Sequence, residues 1–312
     1  MKPIVNRLLL AVAVAAGLAG VSLMAQAPEH QAPSAFRSAV DLVSIQASVR
    51  DRRGRPMKGL TTADFDVRDN GESRPILSMR SDQGAPVSLA ILVDMSGSMR
   101  VGSKMKVARQ TLDILVSQLR EGEDEVSLFT FDSSLHQRHA FTTSLGDLKG
   151  ALDDLQPFGS TSLYDATAAT ARQLAERPAS HKAIVILTDG IDTSSALTSP
   201  EVSGLASSID VPVYVIATVA GVDQSSIVEA ANRSTPNESA DLRDLAAWTG
   251  GQLMFADSHD DNLVLASSLL DELRQRYLLA IEAAGSHEWR RLEVRVRKSS
   301  AIVKARSGYF GG

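Results

Sequence analysis

The sequence contains no cysteine. Disulfides, thiolate catalysis and cysteine-based zinc sites are therefore excluded. That absence does not point to the cytoplasm, since exported chains also do without cysteine. Strong charge of either sign is missing too. A net charge of -5 over 312 residues gives no electrostatic reason to expect nucleic acid or an anionic membrane as partner. Two enzyme signatures are lacking: there is no G-x-S-x-G elbow and no G-x-x-x-x-G-K-[ST] phosphate loop. No solenoid-type repeat is visible. With 44% hydrophobic and 22% charged residues, wholesale disorder is excluded, and the chain can bury one large core or a medium one with a smaller companion.

What is present begins with an N-terminal signature. Lys2 and Arg7 form a short positive region, followed by an apolar run from Leu8 to about Met24. Ala25-Gln26-Ala27 then offers small residues at the spacing a signal peptidase reads. Residues 1–27 read as a signal peptide, so the protein is expected to be exported: periplasmic, on the cell surface or secreted. An uncleaved membrane anchor is the alternative, because the run is just long enough to span. Residues 28–38, rich in Pro, Ala and Ser, read as a linker.

Residues 39–82 read as a β segment. Val43, Ile45, Ala47 and Val49 alternate with polar residues, and Asn70-Gly71 is a hairpin signal. The segment is too short to bury a core alone and is expected to lean on something else. From Val87 the texture becomes α/β, through a nearly continuous apolar strand to Val93 and helical spacing over 102–120. Further strands are expected at Glu125–Phe131, His139–Thr142, Ala183–Leu187, Val211–Ala217 and Gln252–Phe255. Further helices are expected at Leu148–Leu155, Ser162–Leu174, Pro200–Ser208, Asp241–Trp248 and Leu263–Arg276. This alternation predicts a doubly wound, mostly parallel sheet with helices on both faces, over residues 87–276. Residues 277–312 return to β texture and are expected to pair with 39–82 as a small antiparallel module.

Three segments carry chemistry. Asp94-Met95-Ser96-Gly97-Ser98 follows directly on the first buried strand, where open α/β sheets place their ligands. Gly97 is expected to allow a tight turn between Ser96 and Ser98. Thr188-Asp189-Gly190 ends a second buried strand, and Gly159-Ser160-Thr161 lies in a loop. Together they offer two carboxylates and three hydroxyls, with no imidazole or thiolate. Such an all-oxygen set suits Mg²⁺, with Mn²⁺ or Ca²⁺ as alternatives.

These motifs resemble the metal-ion-dependent adhesion site of von Willebrand factor A domains. D-M-S-G-S-M resembles the family's D-x-S-x-S, and Leu187-Thr188-Asp189-Gly190 matches its L-T-D-G. Gly159-Ser160-Thr161 resembles its G-G-T, with Ser160 in place of the second glycine. The resemblance implies a doubly wound fold and a metal site of Asp94, Ser96, Ser98, Thr161 and Asp189. It implies that Ser96, Ser98 and Thr161 touch the metal while Asp94 and Asp189 act largely through waters. A carboxylate from a protein partner would take the open position. The flanks, V-S-I-Q-A-S-V-R-D-R-R-G-R-P and R-Q-R-Y-L-L-A-I with G-Y-F, resemble an exported subgroup described from Acidobacteria.

The function expected is therefore a non-enzymatic, exported, divalent-cation-dependent module that binds an acidic group of a partner protein. A metal-independent structural scaffold is the alternative, followed by a metal-dependent hydrolase. Membrane contact is expected only through an uncleaved N-terminal segment. Asp165 reads as a helix-surface carboxylate and Asp192 as a solvated loop acid. His136 and His139 fall on opposite faces of a strand and make no metal site. Arg290, Arg291, Arg295, Arg297 and Lys298 read as the solvated face of a strand. Asn232-Arg233-Ser234 and Asn237-Glu238-Ser239 match the glycosylation pattern by chance.

Overall fold

The computed structural model describes residues 42–310, apart from 82–83, 149, 180, 191, 209, 219–237, 257–258, 286–287 and 299. The expected signal peptide, the linker and both glycosylation-like asparagines lie outside the described residues.

The strands are β1 (Leu42–Arg50), β2 (Phe65–Asp69), β3 (Glu72–Arg74), β4 (Ser78–Arg80), β5 (Val87–Asp94), β6 (Glu125–Phe131) and β7 (Leu135–Thr142). They continue as β8 (His181–Thr188), β9 (Val213–Thr218), β10 (Leu253–Ala256), β11 (Tyr277–Glu282), β12 (Trp289–Val296), β13 (Ile302–Lys304) and β14 (Gly308–Phe310). The α-helices among the described residues are α1 (Lys104–Ser117), α2 (Leu163–Ala175), α3 (Ser199–Ser208), α4 (Glu238–Thr249) and α5 (His259–Arg274).

The central sheet has the order β10-β9-β8-β5-β6-β7. It is parallel except at β7, which runs antiparallel to β6 along the edge. Every residue of β5 is buried, as a strand covered on both faces requires. One face packs against α1 and α5 through Leu112, Leu115, Leu269 and Leu273. The other packs against α2, α3 and α4 through Leu163, Ala171, Val202 and Leu245. The doubly wound fold expected from the alternation is present. Because β6 and β8 flank β5 on opposite sides, β5 is the switch point of the sheet, and its carboxyl end faces a natural crevice.

Residues 42–80 and 277–310 build two further four-stranded sheets, β13-β1-β11-β4 and β14-β12-β2-β3. They share a core of Ile45, Val49, Phe65, Val67, Tyr277, Ile281, Leu292 and Tyr309. The N-terminal β segment is thus not one unit. β1 pairs with β11 and β13, whereas β2 pairs with β12 and, across the Asn70-Gly71 turn, with β3. Splitting it between two sheets lets the alternating apolar residues of β1 and β2 face each other across a common core, which one small sheet has no means to enclose.

Two local expectations need correction. Leu148–Leu155 is not an α-helix: a 3-10 turn over Leu145–Leu148 leads into plain turns. Gly150 there has φ +74°, which a right-handed helix does not allow. At Gly97 the chain makes a tight 3-10 turn over Gly97–Arg100. Arg290 is not part of a solvated face. Its Nε donates to the fully buried Asp69 at 2.7 Å, and Tyr309 shares that carboxylate at 3.1 Å.

Among the described residues no helix is long and apolar enough to cross a membrane.

Candidate metal centre

The ends of β5 and β8 bring two carboxylates to the switch point. Asp94, the last residue of β5, is fully buried. Its Oδ1 accepts the backbone N–H of Ser96 at 2.8 Å, and its Oδ2 accepts the Thr188 hydroxyl at 2.6 Å. Neither partner is charged. Burial pushes the Asp94 carboxyl up to about 6; the bonds from Thr188 and Ser96 oppose the rise and neighbouring Asp189 adds to it.

The hydroxyls of Ser96 and Ser98 lie 3.0 Å apart, so the two serines present their oxygens together. Ser96 is buried and Ser98 half-buried. The 160s loop is fastened to this segment by backbone alone. Gly97 N donates to Gly159 O at 2.9 Å, and Phe158 N to Met95 O at 2.6 Å. A Cβ on Gly97 would sit 3.4 Å from that carbonyl, so the glycine serves close approach between the two loops.

Thr161 is buried and placed by its main chain. Its N–H donates to the Thr193 hydroxyl at 2.9 Å, and its carbonyl accepts from Thr193 N and Ser194 N at 2.9 and 3.0 Å. The loop after Asp189 is thereby stitched to the 160s loop. Asp165 and Asp192 complete the stitching and are not idle surface acids. Asp165 accepts the N–H groups of Ala196 and Leu197 at 2.9 and 3.0 Å. Asp192 accepts Tyr164 N at 3.1 Å and the Ser195 hydroxyl at 2.6 Å.

Asp189 shows the least settled chemistry. Its Oδ2 accepts Lys104 Nζ at 2.9 Å, while its Oδ1 is buried with no hydrogen-bond partner among the described residues. A buried carboxylate oxygen without a donor is costly and calls for a cation or a water. That orphaned oxygen follows the strand next to the one that ends in Asp94, and its chemistry fits a hard divalent cation. The donor set has only two carboxylates, and among the described residues no group of three His, Cys, Asp or Glu side chains stands ready for a metal. Any ion here must rely on hydroxyls, waters and an outside ligand.

Sequence reasoning missed Thr188 and Lys104. Thr188 stood inside the matched L-T-D-G, but its hydroxyl carries no local sign that it reaches a strand partner 94 residues away. Lys104 reads as an ordinary helix residue. His181 begins β8 at the far end from Asp189, whereas His136, on edge strand β7 beside the carboxyl end of β6, has Nε2 3.9 Å from Asp132 Oδ1.

Residues 89–191 match the family model described as the von Willebrand factor type A domain. That stretch is similar to an A domain. The matched stretch runs from β5 past the end of β8 and contains all five residues singled out above. Similar solved structures are distant. The BatB protein of Bacteroides thetaiotaomicron shares 16% identity, over 60% of this chain and 98% of that one, with a TM-score of 0.47. A von Willebrand factor type A protein from Catenulispora acidiphila shares 12%, over 87% and 74%, with a TM-score of 0.48. Proximal thread matrix protein 1 of the mussel byssus, in a form with a zinc-occupied MIDAS motif, shares 15%, over 66% and 49%, with a TM-score of 0.49. No curated protein matches the chain in sequence. The similarity to A domains rests on the match over residues 89–191 and not on these likenesses.

Proposed function

We propose that this A domain is an exported, divalent-cation-dependent protein-binding module. Asp94, Ser96, Ser98, Thr161 and Asp189 would hold Mg²⁺, or Mn²⁺ or Ca²⁺ in its place. The metal would supply a Lewis-acidic open position for a carboxylate of the partner. The observation that carries this reading is the buried Asp189 Oδ1 with no donor, at the same strand ends as Asp94 and the paired serine hydroxyls. A-domain proteins are mostly adhesion or scaffold proteins and the family is one of protein-interaction modules, which supports binding over catalysis. The export reading is supported by Lys2, Arg7, the apolar run and Ala25-Gln26-Ala27.

Calorimetric titration of Mg²⁺ and Mn²⁺ into the chelator-treated chain tests it. One saturable site, lost in Asp94→Ala, is expected. An immobilised peptide bearing aspartate or glutamate should then bind with the metal and release with chelator. A metal-independent scaffold has one observation in its favour, the Lys104 ammonium already seated on Asp189. Flat titrations in both wild type and Lys104→Met would decide for it.

A further inference from the structure

Lys104 is the first residue of α1, where the helix dipole is positive and a cation is disfavoured. The first turn of α1 holds no acidic residue to offset it. Lys104 nevertheless folds back so that Nζ lies 2.9 Å from Asp189 Oδ2, with the lysine side chain 16% and the aspartate side chain 2% exposed. Asp94, beside it, has hydrogen bonds from Ser96 and Thr188 but no cationic partner. Of these two buried carboxylates only Asp189 holds an ammonium, which is placed against its own helix and bonded to one oxygen of its acceptor.

We propose that Lys104 is a tethered monovalent cation that occupies the place of the divalent ion, and that it must leave Asp189 when the metal binds. This inference rests on the metal-site reading above. An ammonium and a divalent ion beside the same carboxylate repel each other, so the two occupancies exclude one another. The long aliphatic stem gives the head a path to solvent, as flexible lysines have. Lys104 thus sets the metal concentration at which the site opens to a partner carboxylate. A low metal level leaves the site neutralised and closed, with no movement of the sheet required.

Three measurements on the full chain test this. First, Mg²⁺ alone is titrated into wild type and Lys104→Met. Removing the competitor should tighten binding by at least about tenfold, the equivalent of ~1.4 kcal/mol. Second, the metal-free Lys104→Met chain should melt lower than wild type, and saturating Mg²⁺ should raise its melting point more than it raises that of wild type. Third, acylation of Lys104 in the wild-type chain is followed by peptide mass spectrometry. The amine should be protected without metal and should react faster with saturating Mg²⁺. This last readout needs no variant to fold. Wild-type binding with unchanged or weaker binding in Lys104→Met, or protection of Lys104 that Mg²⁺ does not alter, would overturn the lysine's role alone. Absence of binding in both chains overturns the metal site itself, and this inference with it. Binding in Lys104→Met but not in wild type would be its strongest support.

Discussion

The Thr188 hydroxyl donates to Asp94 Oδ2 across 2.6 Å, tying the last residue of β8 to the last residue of β5. Both groups are fully buried, so the bond is out of reach of water. The same hydroxyl accepts Gly190 N at 3.0 Å, which starts the loop that follows Asp189. One threonine thus orients both carboxylate-bearing ends.

Thr188→Val keeps the shape and deletes the bond. It leaves Asp94 Oδ2 and Gly190 N without their partner, and a loss of about 1–3 kcal/mol in urea unfolding is expected. Thr188→Ser should recover most of it. Equal stability in the valine variant would show that the hydroxyl does not matter.

Asp94 predicts a pH dependence of the metal-free chain. Its folded value of about 6 lies above the ordinary 3.8, so the fold prefers the protonated acid. That contribution is fully present below about pH 4 and is lost as pH rises through 6. The size is roughly 3 kcal/mol from the linkage of proton binding to folding. Asp94→Asn, which cannot ionise, should not show this loss. The check is the difference in unfolding free energy between the two chains from pH 4 to 8, in chelator. A difference independent of pH would refute the shift. Metal should flatten the wild-type curve, since a cation at the site favours the ionised form.

Arg276 buttresses Glu272, through which the doubly wound unit meets Lys304 of the flanking sheets. It follows α5, is 1% exposed, and donates to Tyr214 Oη at 2.5 Å and Gly250 O at 3.0 Å. Glu272 Oε1 lies 3.6 Å away, and Lys304 of β13 takes the other Glu272 oxygen at 2.8 Å. Burial acts to raise the Glu272 carboxyl, but the Arg276 and Lys304 cations outweigh it and hold it below its usual value. Arg276→Met leaves Glu272 and the Gly250 carbonyl short of partners at a buried site, and a loss of about 3–5 kcal/mol is expected. Arg276→Lys should not restore stability, because a single ammonium does not span acceptors set at a guanidinium's spacing. Calorimetric melting of the three chains checks both points.

Much of the fold was legible because periodicity is local. The apolar run before Asp94 announced a strand covered on both faces, and alternation in Val43–Val49 announced one covered on a single face. Asp94, Ser96, Ser98 and Asp189 stand out in the sequence because carboxylates and hydroxyls follow buried strands there, and Thr161 stands out through its Gly159-Ser160-Thr161 loop. The apolar spacing of Leu148–Leu155 suits a helix, but Gly150 takes φ +74° and the backbone turns instead.

The residues' own order was enough to set the alternation of strands and helices, the switch-point motif and the chemistry of its oxygens. It was silent on which distant side chains complete that chemistry. Lys104 meets Asp189 across 85 positions, Thr188 meets Asp94 across 94, and Arg276 meets Tyr214 across 62. The reason is physical. A strand or helix is dictated by neighbours within a few residues, whereas the partner of a buried charge is chosen by whatever the packed sheet places within 3 Å, and only the closed fold brings those atoms together.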